Sequence, residues 1–595
     1  MCNDRDNLMQ KEKEIYILTV IPIGKSVPRG ELHYFSGLSP LIGSLISVPL
    51  KNKNSPAVVI GSQNAKEIKT DLKNFSYEVK KILNPSQECA FENSFVEVAR
   101  QTSRYYLAPV GQILNYFFKP TREINPPRSS QMKKEEKMVL QAPEEERLAL
   151  YKSLIREEFA KKSSLFFCLP TYAQIGKFAL ALKKGIEEYV YALSGDLGNK
   201  EIKAVLKKMR ECDHPLLLLA TPHFLSLIKK NFGTLVIENE ASPYYKTRER
   251  PFFDLAHFGE MLAKETGLKL ILADSLLSVK TLYLKDKGAY LPIAPLKFRL
   301  PKENTTQVID MRGSKGNQAE NILGQELTDL VEAALNHNEK IFLFVLRKGV
   351  APITICGDCG RELTCKDCQS PLVLYHPPSY LCHKCLKRYP ADVRCPHCRS
   401  WRLNPLGIGI ERVEELLRKK FPSASIFKIE SSSGKTNKKI EEITRKFLTT
   451  PSAILIGTEL GLNHLDVKVT HSAVVSLDGL FALPDYSMPE KVLALLLRLS
   501  NKTEKYFLIQ TRNPEERIFQ YLTRGNLLDF YRNELETREK FGYPPIKLLI
   551  KISLTAKKEE VEKETADIAK MLADWKPEVY SAFTPKVKGL SLIHI

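Results

Sequence analysis

Eight cysteines constrain this chain more than any other feature of its sequence. They fall in four CxxC pairs in one short segment: Cys356/Cys359, Cys365/Cys368, Cys382/Cys385 and Cys395/Cys398. Each CxxC turn presents two sulfurs to one ion, and two turns close a tetrahedral cage with no open position, which is typical of structural zinc. Disulfides or separate core thiols are the alternative, but the repeated spacing favours metal. The pattern predicts two Zn²⁺ ions per chain.

The pairing of the four turns is a separate question. The loops between successive turns are 5, 13 and 9 residues long. The two middle turns can therefore meet across a small hairpin while the outer two meet at its base, and we favour this nested pairing. Sequential pairing, first turn with second and third with fourth, also fits the spacing.

Charge and length narrow the class of protein. The chain has 595 residues, and 89 Lys and Arg against 69 Asp and Glu give a formal net charge of +20. Such a chain is long enough for several domains, and its charge favours a polyanionic partner such as nucleic acid, although solvated helix faces would also account for it. The remaining cysteines are isolated, which fits a reducing cytoplasm. The amino terminus is charged and does not resemble an export signal. Apolar runs such as Leu216 to Leu219 are too short to cross a membrane.

Hydrophobic periodicity divides the chain into a β-rich part and two α/β parts. Short strands with Gly and Pro punctuation, at Ile15 to Ile23, Gly43 to Pro49 and Ala57 to Gly61, precede a helix at Phe95 to Tyr106. A Pro-, Lys- and Glu-rich linker follows. Beyond it, short apolar runs alternate with helical segments in two blocks, which predicts parallel sheets covered on both faces, with the cysteine segment inserted in the second.

Cations and aromatic residues meet at the end of the first predicted helix. Arg104 and Tyr105 could hold a phosphate and stack on a base, although such a mixture also caps protein cores. Together with Lys53, they are our candidate DNA-binding residues.

The chain resembles a known family around the cysteines. The run Leu346 to Pro352, the four CxxC pairs and the run Pro405 to Glu411 are similar to primosomal protein N′, the PriA family of replication-restart DNA helicases. The resemblance implies an amino-terminal domain that captures a DNA 3′ end, which Gly43, Val48, Pro49 and Lys53 fit. It further implies two helicase lobes, zinc ribbons in the second lobe with the nested pairing, and a carboxy-terminal domain. His33 stands where the family has an acidic residue, and the family's winged helix has no counterpart.

The family's ATP motifs are degraded. A P-loop, GxxxxGK[ST], holds phosphates through glycine amides and a lysine, and no such run is present. Gly24-Lys25-Ser26 and Gly434-Lys435-Thr436 each lack the first glycine. The family's DEEH box aligns with Glu238-Asn239-Glu240-Ala241, so that Glu238 and Glu240 are the candidate catalytic carboxylates. Lysine occupies both arginine-finger positions, Lys502 and Lys505, and lysine cannot hold a phosphate bidentately.

These observations predict an α/β multidomain protein with RecA-like lobes. The predicted domains are a β-rich DNA-binding domain at 1–118, a linker at 119–144, lobe 1 at 145–309, lobe 2 at 310–350 and 404–515, a double-zinc insertion at 351–403, and a partial carboxy-terminal domain at 516–595. We expect a cytoplasmic, nucleoid-associated protein that binds forked or single-stranded DNA and primosome or helicase-loading proteins. We expect a scaffold without ATPase activity. The alternative is an active 3′-to-5′ helicase that uses ATP and Mg²⁺ at a divergent site.

Overall fold

The described residues form two compact units, which divide between Lys297 and Phe298. This computed structural model describes residues 15–28, 30–50, 53–67, 79–82, 90–118, 136–229, 231–247, 249–299, 303–312, 322–346, 353–356, 358–359, 361–367, 371–375, 379–382, 387–390, 392–406, 409–430, 437–481, 483, 485–581 and 591–594. Within these ranges, no helix has the length and apolar composition that crossing a membrane requires.

The first unit begins with a small β-rich domain, as predicted. Its sheet has the strand order β3-β4-β1-β2-β5, antiparallel except for the pair β2–β5. Apolar side chains on one face, among them Leu18, Val20 and Val59, are fully buried. The elements are β1 (Tyr16–Pro22), β2 (Leu32–Ser36), β3 (Leu45–Leu50), β4 (Lys53–Asn64), β5 (Lys80–Ile82), α1 (Asn93–Tyr106) and α2 (Val110–Phe118).

Helix α2 lies very close to strand β1. A Cβ atom at Gly111 would stand 1.9 Å from the carbonyl oxygen of Pro22, so only glycine allows this approach. Helix α1 packs on the following α/β domain, where the rings of Phe95 and Phe258 are 5.1 Å apart. The β-rich domain is thus fixed to its neighbour through aromatic packing.

The rest of the first unit is a parallel sheet of seven strands with the order β12-β6-β11-β10-β7-β9-β8. Every residue of β7, β9 and β10 is buried, which explains their mainly apolar sequences. The elements are β6 (Glu136–Gln141), α3 (Glu144–Ala160), β7 (Ser164–Cys168), α4 (Tyr172–Leu182), β8 (Val190–Leu193), α5 (Asn199–Glu211), β9 (Leu217–Ala220), β10 (Phe232–Glu238), α6 (Leu255–Thr266), β11 (Lys269–Asp274), α7 (Val279–Asp286) and β12 (Leu291–Pro292).

Strand β6 corrects the predicted linker. The linker was expected to extend to Glu144, but Glu136–Gln141 pairs in parallel with β11 and belongs to this sheet. Only three of its six residues, Met138, Val139 and Leu140, are apolar, so its charged flanks made it look like a spacer. The α/β domain therefore begins earlier than predicted.

The second unit contains a parallel sheet of six strands with the order β13-β23-β22-β14-β21-β20. Its first strand, β13, pairs with β23, so residues 305–309 belong here and not, as predicted, to the first α/β domain. The elements are β13 (Thr305–Asp310), α8 (Gln325–Asn336), β14 (Lys340–Val345), α9 (Ile410–Lys420), β20 (Ser425–Ile429), α10 (Asn437–Thr449), β21 (Ala453–Gly457), α11 (Glu459–His464), β22 (Val469–Ser476), α12 (Asp478–Phe481), α13 (Met488–Ser500), β23 (Thr503–Thr511), α14 (Arg517–Arg524) and α15 (Leu527–Phe541), with the ribbon strands inserted between β14 and α9.

The inserted ribbon and a carboxy-terminal sheet complete the second unit. The ribbon strands β15 (Ile353–Cys356), β16 (Leu372–Tyr375), β17 (Ser379–Cys382), β18 (Arg388–Pro390) and β19 (Leu403–Leu406) pair in antiparallel order β18-β17-β16-β15-β19. The carboxy-terminal elements are β24 (Ser553–Ala556), α16 (Lys558–Met571), β25 (Tyr580–Ser581) and β26 (Ser591–His594).

The apolar run from Lys547 to Ser553 is typical of a strand, but only its last residue is in one. Residues 547–552 form no strand, and Leu548 and Ile550 are each 67% exposed. The ladder with β26 begins only at Ser553. An apolar run indicates a strand only where a partner strand lies beside it.

Candidate functional sites

Four cysteines from the outer CxxC turns lie together at the base of the ribbon. The sulfurs of Cys356, Cys359, Cys395 and Cys398 all lie within 4.8 Å of one another. Those of Cys356 and Cys398 are 3.4 Å apart, and those of Cys359 and Cys395 are 3.6 Å apart. Sulfurs that bind one zinc at about 2.3 Å stand roughly 3.8 Å apart in a tetrahedron. The cluster could hold a metal ion, and its geometry excludes the sequential pairing for these two turns.

Backbone amides favour the thiolate of one of these sulfurs, Cys356, whereas the pKa values of Cys359 and Cys398 are raised. Burial tends to raise the pKa of the Cys356 thiol, but hydrogen bonds from the amides of Cys359 and Asp358 and from the Cys398 thiol outweigh it, and the pKa is lowered to about 7. Metals bind the thiolate form of cysteine. The donor set therefore fits zinc, and it leaves no coordination position for a substrate.

The inner turns are only partly described, because Cys368 and Cys385 lie outside the described residues. Their neighbours Cys365 and Cys382 are both fully buried and belong to one apolar cluster at the β16–β17 hairpin. The Cys365 sulfur lies 3.1 Å from the hydroxyl oxygen of Tyr389. The β16–β17 hairpin is the one that the nested pairing requires. The second metal site, at the inner turns, stays a prediction.

A buried carboxylate attaches the ribbon to the six-stranded sheet. Asn513, just after β23, donates a hydrogen bond from Nδ2 to Glu362 Oε2 at 3.1 Å. The other oxygen, Oε1, is buried without a hydrogen-bond partner in the described structure. Burial raises the pKa of Glu362 to about 8, and the charge of Asp478 adds to this shift.

The connection between β6 and α3 occupies the place where a P-loop would stand. A P-loop follows a buried parallel strand and leads into a helix, and here only Ala142 and Pro143 join the two elements. The first helical turn carries Glu144, Glu145 and Glu146. These carboxylates lie at the positive end of the helix dipole, where a phosphate would otherwise bind.

The candidate carboxylate Glu238 is buried in a structural ion pair. It lies at the end of β10 with no exposed surface, and Arg147 is 1% exposed. Arg147 donates to Glu238 Oε1 from Nη2 at 2.5 Å and from Nε at 3.1 Å, and the Tyr151 hydroxyl donates to Oε2 at 2.5 Å. Burial raises the pKa of Glu238, and the positive charge of Arg147 opposes the shift. The carboxylate is thus occupied by protein donors.

The other residues of the DEEH-like box also bind within the domain. Asn239, at φ 50°, accepts a hydrogen bond from Gln174 Nε2 at 2.5 Å and donates to Asp274 Oδ1 at 3.3 Å. Glu240 accepts from the backbone amide of Ser278 at 2.6 Å, at the start of α7. Glu240 therefore caps a helix in this structure.

The two lysines at the arginine-finger positions lie at the amino-terminal edge of the second parallel sheet. Lys505, on β23, is 2.5 Å from Glu339 Oε1, and His471 shares the same carboxylate. The carbonyl of Lys502 accepts from the amide of Val469, which begins β22. Ligands of such sheets usually bind at the opposite, carboxyl edge.

The candidate DNA-binding residues lie on two elements. Arg104 and Tyr105 are neighbours on α1, whereas Lys53 is exposed at the start of β4. Arg104 lines a surface cavity of about 290 Å³ with Arg100 and Glu31. The Tyr105 ring is 54% exposed and packs edge-on against His257 at 4.8 Å. These positions are compatible with phosphate and base contacts.

Arg147 was missed by sequence reasoning, although its pattern was visible. The buried residues of α3 are Arg147, Tyr151, Ile155 and Glu158, spaced as one face of a helix. A charged residue on an inward-facing stripe requires a buried partner. The only missing information was which strand would supply the carboxylate.

The described residues thus form two parallel α/β sheets, with a cysteine ribbon inserted in the second. Remote structural similarities are to RecG bound to three-way DNA junction (TM-score 0.40, 11% identity, covering 80% of this chain and 49% of that chain) and to the DUF1998 helicase MrfA bound to DNA (TM-score 0.37, 12% identity, covering 67% and 49%).

Sequence comparisons show similarity to one family of replication-restart proteins. Residues 23–118 match the family described as the 3'DNA-binding domain (3'BD) of PriA. Replication restart protein PriA of Rickettsia conorii is 24% identical over 582 residues, 91% of this chain and 87% of that protein. The PriA proteins of Borreliella burgdorferi and Bacillus subtilis are 25% and 26% identical over 65% and 58% of this chain, which spans 58% and 43% of their lengths. These similarities support membership of the PriA family.

Proposed function

We propose that this chain binds DNA in replication restart and has lost ATP hydrolysis. Its amino-terminal domain matches a DNA 3′-end-binding family, and the net charge of +20 favours a polyanion. His33, which replaces the family's acidic residue, lies on β2 opposite Thr19. Recognition of the terminal base is therefore expected to differ from that in relatives.

Two features support the loss of ATPase activity: Glu238 is paired with Arg147, and only two residues connect β6 to α3. Phosphoryl transfer is catalysed by positioned amides, a lysine, a metal and arginines around the phosphates. The two residues Ala142 and Pro143 cannot form the cradle of amides, since proline has no N–H. Glu238 would have to break its bonds to Arg147 and Tyr151 before it could help to bind Mg²⁺.

The zinc ribbon and the helicase-type lobes would then act as a scaffold. Under this proposal, two Zn²⁺ ions fold the ribbon, and surfaces of the ribbon and lobes bind DNA and primosome or helicase-loading proteins. Under the same proposal, lobe 1 begins at Glu136 and lobe 2 at Thr305. The alternative is an active helicase, for which Glu238, Asp478 and both parallel sheets would be the retained parts.

Binding to a synthetic fork and to a linear duplex of the same length tests the DNA part of the proposal. We expect tighter binding to the fork, with an affinity that falls steeply with salt concentration. Lys53→Ala and Arg104→Ala should each weaken binding and reduce the salt dependence, whereas Lys207→Ala, an exposed lysine on α5, should not. Equal affinity for both DNAs and no salt dependence would contradict the proposal.

A further inference from the structure

The ribbon carries an exposed tryptophan beside its four-cysteine cluster. The chain has only two tryptophans, and Trp401, three residues after Cys398, is 77% exposed. Apolar rings of this size are normally largely buried in cores, since they bury more surface than most side chains. An exposed ring on a ribbon therefore requires an explanation.

The backbone around Trp401 is fixed although its ring is exposed. The carbonyl of Trp401 accepts from the amide of Leu403 at 2.9 Å, and the carbonyl of Ser400 accepts from the amide of Cys395 at 2.9 Å. Cys395 and Cys398 belong to the four-sulfur cluster that would be closed by a metal. A ring held on such a loop loses little conformational freedom when a ligand stacks on it.

Several arginines lie near Trp401 in the sequence. Arg394, Arg399 and Arg402 are exposed in the same loop. Arg402 is 3.1 Å from Asp358, and Arg361 lies 2.9 Å from His397 Nδ1, so the cations extend over both outer turns. An aromatic ring among arginines provides the two contacts that bind a single strand: stacking for a base and positive charge for its phosphates.

We propose that Trp401 and the exposed arginines of its loop form a single-stranded DNA site in which the indole stacks on a base. The site is separate from the amino-terminal domain, and it rests on the proposed function only in that the chain encounters DNA. The simpler explanation for the arginines is that they neutralise four thiolates and one Zn²⁺, a group with two net negative charges. If the arginines bind DNA, Arg394→Gln should change the salt dependence of DNA binding. If they only neutralise the metal site, Arg394→Gln should lower the zinc content instead.

The two tryptophans allow a direct test on the full-length, zinc-loaded chain. Trp575→Phe leaves Trp401 as the single fluorophore, and Trp401→Phe leaves Trp575, which is 84% exposed, as a matched control. Titration with a (dT)20 oligonucleotide should quench Trp401 saturably and protect it from acrylamide, and should leave Trp575 unchanged. An abasic 20-mer should quench Trp401 far less, because it offers phosphates without bases.

The affinities of two variants for (dT)20 provide a second test of the site. Trp401→Ala should weaken (dT)20 binding by roughly 5- to 100-fold, as expected for one stacked base. Arg394→Gln should lower the salt dependence by about one phosphate and keep the zinc content.

Four results would overturn the site. They are an unchanged Trp401 signal, equal quenching by the abasic strand, preference for (U)20 over (dT)20, and loss of zinc in Arg394→Gln without a change in salt dependence. Fork binding that persists in any of these cases leaves the proposed function intact. Absence of binding to all DNAs would reject both.

Discussion

Removal of the Arg147 guanidinium should destabilise the first α/β domain severely. In Arg147→Met, the fully buried Glu238 would lose both hydrogen bonds from Arg147, and the carbonyl of Ala142 would lose a donor at 2.5 Å. A buried ion pair broken on one side typically costs 3–5 kcal/mol, about a third of the stability of an ordinary domain. Arg147→Met/Glu238→Gln should recover at least about 2 kcal/mol, because Gln leaves no buried charge and still accepts from Tyr151.

Hydrogen exchange in the full-length chain measures this loss locally. Opening free energies of peptides that cover Phe232–Glu238 should fall by about 3–5 kcal/mol in Arg147→Met. The control is Arg156→Met, an exposed arginine on the same helix, which should change them by no more than about 0.5 kcal/mol. A loss below about 1 kcal/mol in Arg147→Met, or no recovery in the double variant, would refute the reasoning about the buried pair.

Three further predictions concern the other sites. Gly111→Ala should cost about 1–3 kcal/mol in thermal or denaturant unfolding, because its Cβ would meet the Pro22 carbonyl at 1.9 Å; Gly30→Ala, where a Cβ meets nothing within 4 Å, is the control. Zinc analysis should find two ions per chain and one in Cys395→Ser, and a content of one in the unmodified chain would contradict the second site. The raised pKa of Glu362, about 8 when folded, means that its stabilising contribution is present below about pH 4.3 and is lost as pH rises through 8. Glu362→Gln should therefore flatten the fall in melting temperature between about pH 5 and pH 8, and an unchanged slope would contradict this.

The elements with strong local signals could be predicted from the sequence. The alternation of polar and apolar residues in SIFKI indicates strand Ser425–Ile429, and the CxxC spacing favours the cluster in which the outer four sulfurs lie. Strand β6 was missed because its three apolar residues are stabilised by a neighbouring strand more than a hundred residues further along the chain. The same limit applies to Glu238: the sequence shows a carboxylate after a buried strand, but only the tertiary fold brings Arg147 to it.

The loss of ATP hydrolysis is tested most directly by turnover of the purified, zinc-loaded chain with saturating forked DNA and Mg²⁺. We expect no hydrolysis above the no-enzyme rate and no binding of a fluorescent ATP analogue, in the same preparation that binds the fork. DNA-stimulated turnover that coelutes with the chain and is lost in Glu238→Ala would contradict this account.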